Sequence, residues 1–184
     1  NAYRNLGWSL DYHDRMLQMF ELTFDVSVVS FLYPLTLGAC IYTVGYKDVK
    51  YLKVFDIMDC YELTFAAIPP SLLQLCSSYF NEINLPQLKY LVVTAEASPV
   101  DLLMKFRLCA PQAVFMNLYG PTEGTIYCTA YRIPAQGTVK QHNGMIAIGK
   151  PFKNMEFKII GNKDIPVGEY QEGELWISGP QVMS

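Results

Sequence analysis

Four short stretches of this 184-residue chain combine residue types that could do chemistry. They are Thr23-Phe24-Asp25-Val26-Ser27, Ala66-Ala67-Ile68-Pro69-Pro70, Thr94-Ala95-Glu96-Ala97-Ser98 and Asn117-Leu118-Tyr119-Gly120-Pro121-Thr122-Glu123-Gly124. The last is the most demanding to explain. Turn chemistry accounts for Gly120-Pro121 but not for a tyrosine before it and Thr122-Glu123 after it. Backbone amides, a hydroxyl and a carboxylate held so close suit a phosphate and its divalent metal, since Glu is a hard oxygen ligand of the kind magnesium takes. Tyr119 offers a flat face to a base. Asp25, set in an apolar neighbourhood, needs a partner, and a ligand ammonium is a good one. The plainer alternatives are helix capping for Asp25 and Ser27 and a solvated turn for Glu96.

Each stretch lies at the end of a β-rich run, and the first three give way to helices. Strands are expected at 16–23, 39–44, 63–67, 88–93 and 113–118, with helices at 27–37, 48–60, 70–80 and 99–109 between them. This alternation predicts an α/β fold: a mostly parallel sheet covered by helices on both faces. In such sheets ligands bind beyond the carboxyl ends of the strands, so the four stretches would share one cleft. From 126 onward, strands at 126–133, 145–148, 155–160 and 173–178 are separated by Gly/Pro turns without helices. An α/β subdomain over 1–125 followed by the start of an antiparallel β-rich subdomain over 126–184 is the expected organisation. Residues 26–46 carry no charge and are long enough to span a bilayer. Pro34, Gly38 and a β-branched second half instead read as a buried helix followed by a buried strand.

Fourteen basic and seventeen acidic side chains give a net charge of -3 with no run of like charge. No footprint for a nucleic-acid backbone exists, and neither nucleic acid nor membrane is expected as a partner. The five cysteines, Cys40, Cys60, Cys76, Cys109 and Cys128, lack a C-x-x-C and sit in apolar runs, which reads as buried thiols of a reducing, cytoplasmic compartment. No signal peptide opens the chain, and Asn1-Ala2 reads as an appended remnant. Gly144 to Lys150 has P-loop spacing, but Pro151 replaces the magnesium-binding hydroxyl and the interior is an apolar strand. His13 and His142 lie far apart and are expected on the surface, with no zinc site.

At these residues the sequence resembles the adenylate-forming superfamily: amino-acid adenylation domains of nonribosomal peptide synthetases, D-alanine:carrier-protein ligases and, more distantly, acyl-CoA synthetases. Asn117-Leu118-Tyr119-Gly120-Pro121-Thr122-Glu123 matches the central signature of that family. Phe24-Asp25-Val26-Ser27 is similar to its substrate segment and Ile68-Pro69-Pro70-Ser71-Leu72-Leu73 to its mid-domain helix start. Gly173-Glu174-Leu175-Trp176-Ile177-Ser178-Gly179 is similar to the strand that follows.

The resemblance implies an enzyme that joins an amino acid carboxylate to ATP, with Mg2+, and passes it to the phosphopantetheine thiol of a carrier protein. It implies that Asn117 and Tyr119 hold the adenine, with the backbone of Ala95, Glu96 and Ala97 lining its other side, and that Leu118 and Gly120 also belong to the nucleotide site. Thr122 would bond the reacting phosphate and Glu123 would hold magnesium, the pair being the catalytic residues. Asp25 would pair with the substrate ammonium, and Val26, Val29, Ala67, Val92, Thr94, Leu118, Ile126 and Tyr127 would line a pocket for a small or aliphatic amino acid. The family's phosphate loop, ribose-binding aspartate and C-terminal lysine domain fall outside these residues, so the chain is expected to be the middle of a larger catalyst and inactive alone. Ala95 stands where many members have glycine, and Ser30 where many have an acidic or aromatic residue. The competing expectations are an acyl- or aryl-CoA synthetase and a non-catalytic module that binds nucleotide or carrier.

Overall fold

The computed structural model describes residues 6–183; the reading of Asn1-Ala2 lies outside these residues. The first half alternates strand and helix: β1 (Arg15–Gln18), α1 (Val26–Leu37), β2 (Cys40–Thr43), α2 (Lys50–Cys60), β3 (Phe65–Ile68), α3 (Pro70–Leu75), β4 (Tyr90–Val93), α4 (Val100–Phe106) and β5 (Val114–Tyr119). Then come β6 (Thr129–Ile133), β7 (Gln141–His142), β8 (Met145–Ile146), β9 (Lys150–Pro151), β10 (Glu156–Ile160) and β11 (Glu174–Ser178). Seven strands form one sheet in the order β2-β1-β3-β4-β5-β6-β9. It is parallel from β2 to β5 and antiparallel beyond. The antiparallel character expected past 126 is present, with a difference: β6 and β9 extend the parallel sheet itself, and only β7–β8 and β10–β11 form separate hairpins.

The order explains where the helices lie. The step from β1 to β2 runs one way along the sheet and every later parallel crossover runs the other way. Because such crossovers are right-handed, α1 falls on the face opposite α2, α3 and α4. Two apolar clusters record this division. Val54, Phe55 and Met58 of α2, Leu72 and Leu73 of α3, and Leu102, Leu103 and Phe106 of α4 pack with Leu91, Val93 and Phe115. Val26 and Val29 of α1 pack with Met16, Phe65, Ala67, Val92, Met116 and Leu118. Leu91 and Val93 thus face away from Val92, and Phe115 faces away from Met116 and Leu118, which is the period of two that strands impose. Trp8 completes the second face, its indole donating to Met116 Sδ at 3.1 Å and meeting the Phe65 ring edge-on at 5.0 Å.

At the amino edge of the sheet Asp14 is buried and pairs with Lys89 Nζ at 2.8 Å. Burial alone would raise its carboxyl, but hydrogen bonds from Lys89, Thr64 and the Asp11 amide outweigh this and hold it below the ordinary 3.8. The pair ties the entrance of β1 to the entrance of β4, across β3.

Several expectations need correction. Cys76, Cys109 and Cys128 are buried free thiols, with Cys109 and Cys128 pushed up by burial to about 11. Cys40 and Cys60 are exposed. Cys40 begins β2, which is the sheet edge, and Cys60 ends α2. For the same reason residues 26–46 are not wholly buried: Val28, Leu32 and Leu35 of α1 face outward, and β2 is exposed at both of its ends. No helix among the described residues is long and apolar enough to cross a membrane. The helix expected at 70–80 gives way after Leu75 to a 3-10 turn at Ser77–Tyr79. His13 and His142 are exposed, as expected.

Candidate active site

Parallel pairing brings the carboxyl ends of β1, β3, β4 and β5 to one edge, so the four chemically unusual stretches leave the sheet side by side. Asp25 occupies the N-cap position of α1 with helical backbone angles, yet its side chain makes no cap bond. Instead Asp25 Oδ2 accepts a hydrogen bond from Thr122 Oγ1 at 2.7 Å, across 97 residues of sequence. The capping alternative fails for Ser27 as well: its hydroxyl, fully buried, reaches the Leu22 carbonyl at 3.4 Å.

The turn after β4 presents residues 95–97 at the surface, above buried Thr94 and Ser98. Glu96 is not a free turn carboxylate. Its two oxygens accept from the Ser71 amide at 2.9 Å and the Ser71 hydroxyl at 2.8 Å, tying this turn to the start of α3. Ala95 holds φ +73, a left-handed conformation that costs an L-residue about 1–2 kcal/mol. Glycine would adopt it freely.

The signature stretch is built on the end of β5. Asn117 is buried and its Nδ2 donates to the Ala147 carbonyl at 3.1 Å, so the side chain anchors the loop after β8. Leu118 points to the opposite, α1-side face and is buried. Tyr119 lies at the strand end, more than a third exposed. Its carbonyl accepts from the Cys128 amide at 2.9 Å. At Gly120 the returning chain passes so close that a Cβ would sit 2.5 Å from the Ile126 carbonyl and 2.8 Å from Tyr127 Cα. Thr122, Glu123 and Gly124 form a 3-10 turn in which Thr122 and Glu123 are exposed. Two β-branched residues then take left-handed angles in succession, Thr125 at φ +59 and Ile126 at φ +72. Such positions cost on the order of 1–3 kcal/mol each and persist where surrounding contacts over-determine them.

Seven residues expected to line an acid pocket, Val26, Val29, Ala67, Val92, Leu118, Ile126 and Tyr127, belong to one apolar cluster on the α1 side. They come from α1, β3, β4, β5 and the strained loop. The eighth, Thr94, is buried just past β4. The residues expected around adenine, Asn117, Tyr119, Gly120 and the 95–97 backbone, lie along the carboxyl ends of β4 and β5, adjacent strands whose last pair is Val93 with Asn117. Thr122 joins the two groups through Asp25. Among the described residues no set of three His, Cys, Asp or Glu side chains is grouped for a metal. Glu123 by itself fits a magnesium that keeps waters and takes phosphate oxygens as its other ligands.

Sequence reasoning missed Ser71 as the partner of Glu96, and the role of residues 181–183, which cross the 123–127 loop. The first had a signal in the hydroxyl at the start of the helix after Pro69-Pro70; the second had none.

A doubly covered, mostly parallel sheet with this signature turn and an acidic helix start at one edge is the α/β architecture of adenylate-forming proteins. Residues 1–184 match the AMP-binding enzyme family, and the chain belongs to it. It is 33% identical over 185 residues to zwittermicin A synthase ZmaJ of Bacillus cereus, covering 94% of this chain and 34% of that protein. It is 29% identical over 168 residues to tyrocidine synthase 2 of Brevibacillus parabrevis, covering 90% of this chain and 4% of that one. The solved adenylation domain AlmE of Vibrio cholerae, in complex with glycyl-adenosine-5'-phosphate, aligns with a TM-score of 0.85 at 28% identity, over 99% of this chain and 34% of that chain. This chain therefore spans about a third or less of the length of these relatives.

Proposed function

We propose that the chain carries the nucleotide and acid sites of an enzyme that activates an amino acid as its acyl adenylate. The observation that carries the reading is the Thr122 to Asp25 hydrogen bond, which joins the signature turn to the acidic start of α1, the residue before Val26 of the apolar cluster. Asp25 accepts the substrate ammonium, while Val26, Val29, Ala67, Val92, Thr94, Leu118, Ile126 and Tyr127 surround a small or aliphatic side chain. The exposed backbone of Ala95, Glu96 and Ala97 and the residues Asn117, Tyr119 and Gly120 enclose the adenine of ATP.

The reaction asks little covalent chemistry of the protein. The substrate carboxylate attacks the α-phosphorus, an acyl O–P bond forms and the bond to pyrophosphate breaks, so positioning and charge neutralisation do the catalysis. Thr122 Oγ1, which donates its one proton to Asp25, would turn it to the reacting phosphate once the substrate ammonium occupies Asp25, and Glu123 would hold Mg2+, which would supply charge neutralisation. The thiol that receives the acyl group belongs to the phosphopantetheine arm of a carrier protein. A cytoplasmic setting, with ATP at hand and cysteines kept reduced, fits this reading. The AlmE domain, whose glycyl adenylate is the product such a reaction makes, supports the reading.

Pyrophosphate exchange by the full-length protein across a panel of carboxylic acids tests it. Exchange with one or a few small or aliphatic amino acids is expected. Exchange only with fatty or aryl acids would transfer the reading to an acyl- or aryl-CoA synthetase, and binding of nucleotide without exchange would make the chain a non-catalytic module.

A further inference from the structure

The segment that follows β11 turns back onto the signature loop. The Val182 amide closes a turn on the Gly179 carbonyl at 3.1 Å. From this turn three hydrogen bonds reach alternate residues of the loop. Met183 N donates to the Glu123 carbonyl at 2.8 Å. Thr125 Oγ1 donates to the Gln181 carbonyl, and Gln181 Nε2 donates to the Tyr127 carbonyl at 3.0 Å. Gly179, at φ +135, lets the chain enter this path: a Cβ there would meet the Asn154 carbonyl at 2.6 Å and Met155 Sδ at 2.8 Å.

The loop so held is the strained one. Thr125 and Ile126 would relax to ordinary backbone angles if the loop were free, since nothing in their side chains favours φ above zero. Gly120 packs against one side of the returning chain, and residues 181–183 bond the other. Relaxation would move both ends together: Glu123, whose own carbonyl is one anchor, and Ile126 and Tyr127, which belong to the apolar cluster.

We infer that Gln181 is a positioning residue: beside the main-chain bonds that Gln181 and Met183 make, its side-chain amide fixes the 123–127 loop in the strained shape that sets the Glu123 carboxylate and the Ile126 and Tyr127 walls. The role it serves in catalysis rests on the function proposed above; the strap itself does not.

The test uses Gln181→Ala and Gln181→Glu in the full-length protein, the second being isosteric but unable to donate to the Tyr127 carbonyl. The first readout is alkylation of Cys128, buried directly after Tyr127, resolved by mass spectrometry against buried Cys76 and Cys109 elsewhere in the core. Both variants should raise the Cys128 rate about 10-fold or more while Cys76 and Cys109 stay at the wild-type rate, since only a local opening is enlarged. The second readout is the magnesium dependence of pyrophosphate exchange. Half-saturating magnesium should rise about 10-fold, with kcat largely recovered at saturating metal, because a displaced ligand weakens binding before it weakens chemistry. An unchanged Cys128 rate, a parallel rise at Cys76 and Cys109, or an unaltered magnesium dependence with lowered kcat overturns the inference. Wild-type protein that exchanges with no acid sinks the proposed function instead, and the thiol rates then decide the strap alone.

Discussion

Ala95 and Gly120 lie just past the carboxyl ends of the neighbouring strands β4 and β5 and make opposite demands. Ala95 carries a Cβ at φ +73, where glycine has no penalty, so Ala95→Gly removes strain and adds unfolded-state entropy. The net expected gain is about 0.5–1 kcal/mol, read as a higher urea midpoint at constant m-value. Gly120 faces backbone atoms that cannot step aside, and Gly120→Ala should cost about 2–3 kcal/mol by the same measurement. In the site proposed above, Asp25 is the residue that would separate substrate classes. Asp25→Asn keeps an acceptor for Thr122 but removes the charge that meets an ammonium. KM for the amino acid in pyrophosphate exchange should rise about 10- to 100-fold, the worth of one charge-assisted hydrogen bond, while the KM for ATP stays near wild type. Residue types alone single out Asp25, in an apolar run, and Thr122-Glu123, after Gly-Pro, as candidates for chemistry. Their direct contact is not legible in the sequence, because a bond across 97 residues depends on strand order rather than on local pattern.

At the scale of elements, the βαβ rhythm is legible because doubly covered strands such as Leu91-Val92-Val93 read as unbroken apolar runs. Which strand lies at the edge is not, since periodicity carries no information about neighbours. Cys40 on β2 and the outward residues of α1 therefore read as buried although they are exposed. Glu96 is similarly opaque: its partner Ser71 lies on the helix that follows the neighbouring strand, and only the parallel adjacency of β3 and β4 brings the two together. The entrances of β1 and β4 depend on Asp14 and Lys89. A carboxyl held below 3.8 stabilises the fold above that pH, and the contribution is lost as pH falls through the lower folded value. Acid titration of unfolding should show stability declining below about pH 4. Lys89→Met, which leaves Asp14 buried with fewer donors, should destabilise at neutral pH by about 1–2 kcal/mol, the lysine being half exposed. The variant should also flatten that acid decline.

For the whole molecule, the joints of the sheet are unequal. β1 meets β2, β3 meets β4 and β4 meets β5 over four residue pairs each, whereas β1 and β3 share the single pair Met16 with Phe65. This is also where the strand order reverses, so α1 guards one side and α2 the other, with little ladder between. This shortest ladder, extended by the Thr64 amide donating to the Arg15 carbonyl at 2.8 Å, is where the sheet is expected to open first, as a cooperative unit of β1, α1 and β2 against the rest. Native-state hydrogen exchange should find the amides of Cys40–Thr43 and of α1 exchanging together, at a lower opening free energy than those of β4 and β5. Asp25 rides on the smaller unit and Thr122 on the larger. A ligand that grips both would act as a clasp across the joint, and the amino acid with ATP should slow exchange in β1 and β2 more than in β4. Substrate recognition would then be written into the protein's breathing, with the acid and the nucleotide each making the other's half of the cleft harder to open.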